Sequence, residues 1–179
     1  MGLKCRFTLL PAGVLIILVI SAIAAVFSAC KVSYGFSGVT ISPQIRTISI
    51  QYFQNRASLV QPGLSQLLTD ALIDKCKAQT RLSIVNGIGD VNFEGEISDY
   101  NTRPLTVAAD QLAAMNRFTI TIKVKYTNAM EADNSFERTF SRYEDYDSNI
   151  DLAQVEKTLV DKIVTLLVED IFNAAFVNW

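Results

Sequence analysis

The sequence predicts an α+β fold: two helices packed on one face of a mostly antiparallel, four- to five-stranded sheet. Three observations carry this. Phe118–Tyr126 alternates without a break, with Phe118, Ile120, Ile122, Val124 and Tyr126 on one side and Thr119, Thr121, Lys123 and Lys125 on the other; a period of two is that of a strand with one buried face. Two long stretches, opening near Pro62 and Asp151, repeat apolar residues at helical spacing. The order is strand, helix, two strands, two more strands, helix, which suits helices gathered on one side of a sheet.

Taken in order, Thr47–Phe53 alternates, with Ile48, Ile50 and Tyr52 on one face and Ser49 and Gln51 on the other, and reads as a half-buried strand. Pro62 suits a first helical turn, and Leu64, Leu67, Leu68, Ala71 and Leu72 make one apolar stripe of a helix reaching about Gln79. Arg81–Val85 is a short strand, Asn86–Asp90 a turn, and Val91–Tyr100 a longer strand with Val91, Phe93 and Ile97 on one side. Asn101–Asn116 begins as a loop, and its part from Ala108 to Met115 is compatible with a helical turn or an excursion. Asn128–Asn134 is a hairpin loop and Ser135–Tyr143 the returning strand. Asp151 is placed to cap the last helix, with Gln154 completing a capping box. Val155, Leu159, Ile163, Leu166, Leu167 and Phe172 form its buried stripe.

The first 29 residues are different in kind. They hold Lys4 and Arg6, no acidic residue, and an almost continuous apolar run from Ala12 to Ala29, the layout of a secretory signal. The run is also near the lower length limit for spanning a bilayer, so a retained anchor helix is the alternative. Its end favours export: Phe27-Ser28-Ala29-Cys30 resembles the lipobox of bacterial lipoproteins, in which the cysteine becomes the acylated N-terminus. Several acyl chains on one residue anchor stably, each buried CH₂ contributing about 0.8 kcal/mol. Lys31, rather than an acidic residue, follows the cysteine, which in such lipoproteins implies sorting to the outer membrane. The expected division is therefore 1–29 signal peptide, 30–46 lipidated N-terminus and tether, and 47–179 one domain. Cutting before Cys30 leaves 150 residues, enough for a single core. It removes two of sixteen basic residues and none of eighteen acidic ones, leaving a formal charge of −4. That balance is wrong for a nucleic-acid partner.

The chemistry available is narrow. The chain contains no histidine, which removes the usual general base and metal ligand and the Ser–His and Cys–His pairings of hydrolases. Of three cysteines, Cys5 leaves with the signal and Cys30 takes lipid, so Cys76 remains alone as a core thiol and no zinc site is expected. Neither an enzyme nor a cofactor is expected. Asp145, Asp147, Asn149, Asp151 and Glu156 have the spacing of a calcium loop, but Ile150 stands where the turn needs glycine; an acidic lead into a helix cap is the competing reading. Arg103, Arg117, Lys123 and Lys125 form a candidate basic patch, the lysines sharing one strand face and the arginines flanking the loop before it. Such a patch suits phosphates or carboxylates, or is simply a solvated face.

A set of short stretches adds to this reading. They are Tyr34-Gly35-Phe36-Ser37-Gly38 after the lipobox cysteine, Thr47-Ile48-Ser49-Ile50, Phe53-x-Asn55-Arg56-Ala57, Leu64-Ser65-Gln66, Phe93-Glu94-Gly95-Glu96-Ile97, Asn116 through Ile122, and Phe140-Ser141-Arg142-Tyr143. As a set they resemble the LptE family of lipopolysaccharide-assembly lipoproteins over nearly the whole mature chain. The resemblance implies two helices on a four-stranded sheet. It implies a non-enzymatic lipoprotein at the periplasmic side of the outer membrane, plugging and helping to assemble an LptD-type barrel and binding lipopolysaccharide. It also implies that basic residues at one end of the sheet contact the lipopolysaccharide, with Arg103 and Arg117 the first choice here. A periplasmic lipid-binding lipoprotein without a barrel partner is the alternative.

Overall fold

Alternation sets the architecture. The computed structural model describes residues 41–59, 61–105 and 114–177. The middle strand, β5 (Met115–Asn128), buries Phe118, Ile120, Ile122, Val124 and Tyr126 and turns the intervening residues outward. It lies between β4 (Val91–Leu105) and β6 (Phe136–Asp147), antiparallel to both. Beyond β4 come β1 (Thr47–Ile50) and β3 (Ser83–Ile84), each joined in parallel, so the order is β3-β1-β4-β5-β6. A two-residue β2 (Gln54–Asn55) also pairs in parallel with β4 and brings the sheet to six strands. The helices α1 (Leu64–Gln79) and α2 (Leu152–Phe176) bury their stripes against one face. The α+β expectation holds.

The helix ends have clear causes. Gly63 caps α1 with a φ of 86°, a left-handed conformation that glycine takes without steric cost. Asp151 caps α2, its carboxylate accepting from the Ala153 amide at 3.1 Å rather than from that of Gln154 as a capping box requires. Leu72, Cys76, Ile163, Leu167 and Ile171 are wholly buried between helices and sheet; each large aliphatic side chain so placed contributes about 1.5–3 kcal/mol. Two members of the expected stripes are corrected: Leu67 and Leu166 are 38% and 39% exposed. Each lies one step past the part of its helix that faces the sheet.

The first strand also differs from expectation. Regular pairing stops at Ile50, Tyr52 turns outward, and Phe53 is fully buried. Ile50 pairs with Phe93 but Gln54 with Glu96, so this side carries one extra residue. That residue reverses which side chains face the core and lays the Phe53 ring on Gly95. A Cβ built on Gly95 would meet that ring and the Lys123 carbonyl oxygen at 2.5 Å each. Before this break, Ser49 is buried despite facing away from the helices. Its hydroxyl donates to Asn92 Oδ1 at 2.7 Å and accepts from the Gly89 amide at 3.0 Å. Asp90 then fastens the start of β1 by accepting from the amides of Arg46 and Thr47, both at 2.9 Å.

The three long strands run further than expected. β4 continues to Leu105, β5 opens at Met115, and β6 continues to Asp147. Past the reach of β2, one side of β4 is an edge, which is why Pro104 fits there without costing a ladder bond. Register shifts between Ile97 and Asp99. Ser98 is the inserted residue of this bulge, and after it the even positions face the helices, Tyr100 among them. The helical turn considered within Ala108–Met115 falls mostly outside the described residues, as do the export segment and Cys30.

A candidate anion site on the open face of the sheet

The face of the sheet away from the helices is built from rows of residues paired across β4, β5 and β6. At one end, Glu94, Lys125 and Glu137 form a row, with Glu96 and Lys123 beside it. Opposite charges on neighbouring strands pair here: Lys123 reaches Glu137 at 2.7 Å, Lys125 reaches Glu94 at 3.9 Å, and Arg56 reaches Glu96 at 3.1 Å. Glu137 is held below the usual carboxylate range and Lys123 above the usual amine value, each mainly by the hydrogen bond to the other. The two lysines of the expected patch are thus engaged by carboxylates.

The middle of the face carries hydroxyls, Thr119, Thr121 and Ser141, the last two 3.0 Å apart, with Asp99 and Asn101 alongside. At the far end, Arg103 stands directly opposite Arg117, and Arg117 opposite Asp145. The arginines lie on the strands themselves, not beside a loop, and the Ser98 bulge is what brings Arg103 to this side. Arg117 is held from two directions. Its Nε and Nη2 donate to the two oxygens of Asp145 at 2.8 and 2.9 Å, and its guanidinium lies 3.6 Å from the centre of the Tyr143 ring. The fork geometry is that of a strong bidentate pair, and the stacking is one only arginine supports. The Arg117 hydrogen bond holds the Asp145 carboxyl below its usual range, and the same bond raises Arg117. Arg103 is exposed and makes no ion pair with any described residue. A shallow depression of about 380 Å³ lies between the arginines and the hydroxyl row. Along β5, Arg117 and Lys123 are six residues and roughly 20 Å apart, so the four expected basic residues share a face but form two separate groups.

Tyr143 and Asp145 are site residues that the sequence reading missed. The alternation continuing through Glu144-Asp145-Tyr146-Asp147 was the available signal. The residues of the considered calcium loop are arranged otherwise: Asp145 and Asp147 lie on a strand and Glu156 accepts a hydrogen bond from the Tyr100 hydroxyl. Among the described residues no cluster of acidic or thiol groups suits a metal ion. Cys76 is buried and uncombined, and burial pushes its thiol up to about 12, which makes it inert.

These features define a class: an α+β domain with a helix-covered core face and an open polar face of ion pairs, hydroxyls and an arginine pair. Two solved structures share the fold. A hypothetical protein, CT253, from Chlamydia trachomatis has a TM-score of 0.50 at 7% identity, covering 75% of this chain and 99% of that one. A putative neuraminyllactose-binding hemagglutinin homolog from Helicobacter pylori has a TM-score of 0.50 at 6% identity, covering 79% and 88%. The rare lipoprotein B from Shewanella oneidensis gives 0.47 at 11% identity, covering 72% and 92%. No curated protein matches in sequence.

The particular family follows from the sequence itself. The LptE family, described as lipopolysaccharide-assembly, matches residues 45–175, and the chain belongs to it. Its members are non-enzymatic lipoproteins of the outer membrane with a role in lipopolysaccharide assembly. Among the described residues no helix is long and apolar enough to cross a membrane.

Proposed function

We propose that this chain is exported, acylated on Cys30, and held on the periplasmic side of the outer membrane. There it seats in the lumen of an LptD-type barrel and offers its arginine end to the phosphates of lipopolysaccharide. The observation that carries the binding reading is Arg103 directly across from Arg117. Like charges facing one another across strands destabilise a sheet, and Asp145 offsets only one of the two. The Arg103 guanidinium, which makes no ion pair with a described residue, stands beside hydroxyls over a shallow depression that Asp99 also lines, and suits a phosphate on a sugar. The lysine end supports the barrel reading. Its charges are balanced row by row, and alternating ion pairs and hydroxyls present a polar surface to a polar lumen. Lys123 and Lys125 act there, and contact lipopolysaccharide only at the margin of the site.

The test has two arms. Detergent-solubilised protein from the native host, pulled down and identified by mass spectrometry, carries acyl chains at Cys30 and brings a large barrel protein with it. Recovery of lipopolysaccharide without a barrel would instead favour a free periplasmic lipid carrier. In the second arm, Arg103→Ala weakens lipopolysaccharide binding about fivefold to tenfold, as expected for one lost charge-assisted contact at an exposed site. Unchanged binding in both Arg103→Ala and Arg117→Ala would remove the site.

A further inference from the structure

The opposite end of the sheet, where the chain enters β1, carries a second pair of arginines. Arg46 precedes β1 and Arg81 lies just before β3, and the Ser83 amide donates to the Arg46 carbonyl at 2.9 Å, so the two lead into neighbouring parallel strands. Both are exposed, neither makes an ion pair with any described residue, and together with Ile41 and Pro43 they line an open cleft of about 660 Å³. Beside them the turn at 86–90 is pinned against β1. Gln51 Nε2 donates to the Gly87 carbonyl at 3.1 Å, the Gly89 amide to Ser49 Oγ at 3.0 Å, and the Asp90 amide to Thr47 Oγ1 at 2.9 Å. Between these ties Ile88 is 92% exposed. A lone exposed apolar side chain is ordinary. This one is held by its neighbours on both sides, and Asp90, two residues on, accepts from the Arg46 amide. The corner therefore joins a fixed apolar knob to two cations, of which Asp90 offsets one in part. Glu131 and Asp133 sit on the hairpin between β5 and β6, at the far side of β4 from this corner.

We infer that this corner is a membrane-docking surface: Arg46 and Arg81 take phosphates of an anionic phospholipid leaflet while Ile88 enters its interface. The inference rests on the proposed acylation of Cys30 and goes beyond it, because an anchor holds a chain to a leaflet without orienting it. Eleven residue steps lead from Cys30 to Ile41, a contour of at most about 40 Å, so the leaflet that takes the lipid is within reach of the corner. An arginine near an anionic surface favours the docked state about fivefold. Burying Ile88 adds an apolar contribution, and a turn already pinned has little freedom left to lose. Arg103 and Arg117 stand at the other end of β4, roughly 40 Å along the strand, so docking at this corner leaves that pair free.

The test uses the full chain, acylated in its native host and reconstituted into phosphatidylcholine vesicles with or without phosphatidylglycerol. A reporter variant, Ile88→Trp combined with Trp179→Phe, carries its only indole at the corner. With phosphatidylglycerol present, its emission shifts to the blue and is quenched by phospholipids brominated on their acyl chains. Arg46→Ala and Arg81→Ala each lower the ratio of docked to undocked protein about fivefold, and raised salt weakens docking without any further substitution. A second reporter, Ile150→Trp combined with Trp179→Phe, lies past the other end of β6 and stays unquenched. Equal quenching of the two reporters overturns the inference, as does quenching at residue 88 that ignores phosphatidylglycerol, salt and both arginines. If Cys30 is acylated and residue 88 stays in water in every vesicle, the corner fails and the anchor stands. If mass spectrometry finds no lipid on Cys30, the anchor fails by itself. The corner is then decided by co-sedimentation of that protein with the same vesicles: binding lost in Arg46→Ala and Arg81→Ala upholds it, and binding absent or unaltered overturns it.

Discussion

Gly95 offers a sharp test of the packing, because two expectations about it have opposite signs. In an ordinary strand interior, Gly→Ala stabilises by about 0.5–1 kcal/mol, since alanine loses less backbone freedom on folding. In this fold the added Cβ would lie 2.5 Å from the Lys123 carbonyl oxygen, and 2.5 and 2.9 Å from two carbons of the Phe53 ring. Comfortable carbon contacts begin near 3.5 Å, so the ring must retreat by about 1 Å, and Phe53 is completely buried. Overpacking of a filled core costs about 1–3 kcal/mol. With backbone on one side and a trapped ring on the other, the upper end applies, about 3 kcal/mol. At roughly 3 °C per kcal/mol for a domain of this size, Gly95→Ala lowers the melting temperature by roughly 9 °C. Thermal unfolding followed by circular dichroism measures it. Phe53→Leu relieves the ring contact but not the carbonyl contact, so the double variant is less destabilised than the sum of the singles by about 1 kcal/mol. A Gly95→Ala protein as stable as wild type, or strictly additive singles, would refute the close approach of Phe53.

Four further outcomes are expected. Leu72→Ala or Ile163→Ala, each opening a cavity between a helix and the sheet, costs about 2–5 kcal/mol in denaturant unfolding; less than 1 kcal/mol would mean the helices do not pack as described. Gly63→Ala forces a side chain into the left-handed region and costs about 1–2 kcal/mol, again by denaturant titration. Stability is flat from about pH 5.5 to 8, because no histidine titrates there. It declines in acid: Asp90, Asp145 and Glu137 have folded-state pKa values below their unfolded ones. Their contribution is thus complete above about pH 4–4.5 and is lost as pH falls through the lowered values. A transition centred near pH 6.5 would contradict this. In protein processed at Cys30, Cys76 resists iodoacetamide at pH 8 until denaturant is added, its buried thiol being raised to about 12; labelling of the native protein would show the helix packing to be loose.

Much of the fold was legible in the sequence because it rests on simple periods. The alternation of Phe118–Tyr126 and the helical stripes of α1 and α2 each needed only a hydrophobic pattern, and the pattern is what the core enforces. The misread places are those where one residue breaks a period. The extra residue between Ile50 and Gln54 put Tyr52 outside and Phe53 inside, and a period-two reading cannot see an insertion that only the β4 register reveals. Leu67 and Leu166 look as apolar as their neighbours, and which side of a helix wins is set by the surface it meets. The candidate site was half legible. Arg103 and Arg117 were singled out by charge and position. Their facing arrangement, the Tyr143 stack and the Asp145 fork depend on pairing across strands, which composition does not encode. Lys123 and Lys125 were placed on the correct face, but their carboxylate partners were hidden for the same reason.

The bulge at Ser98 behaves as a spatial reading frame. Upstream of it the odd-numbered residues of β4 face the helices, and downstream the even-numbered ones do, with Tyr100 buried among them. Deleting Ser98 would make Ile97 and Asp99 consecutive in the ladder and leave every side chain on its present side, whereas one residue inserted after Ser98 would shift the frame for everything from Asp99 to Leu105, turning Arg103 towards the helices and Tyr100 out into water. The insertion would therefore remove the arginine pair and the Tyr100–Glu156 tie together, and limited proteolysis would show β4 loosened beyond that point, while a protein lacking Ser98 keeps both. Two changes that look unrelated on the linear chain are, in this sheet, one event.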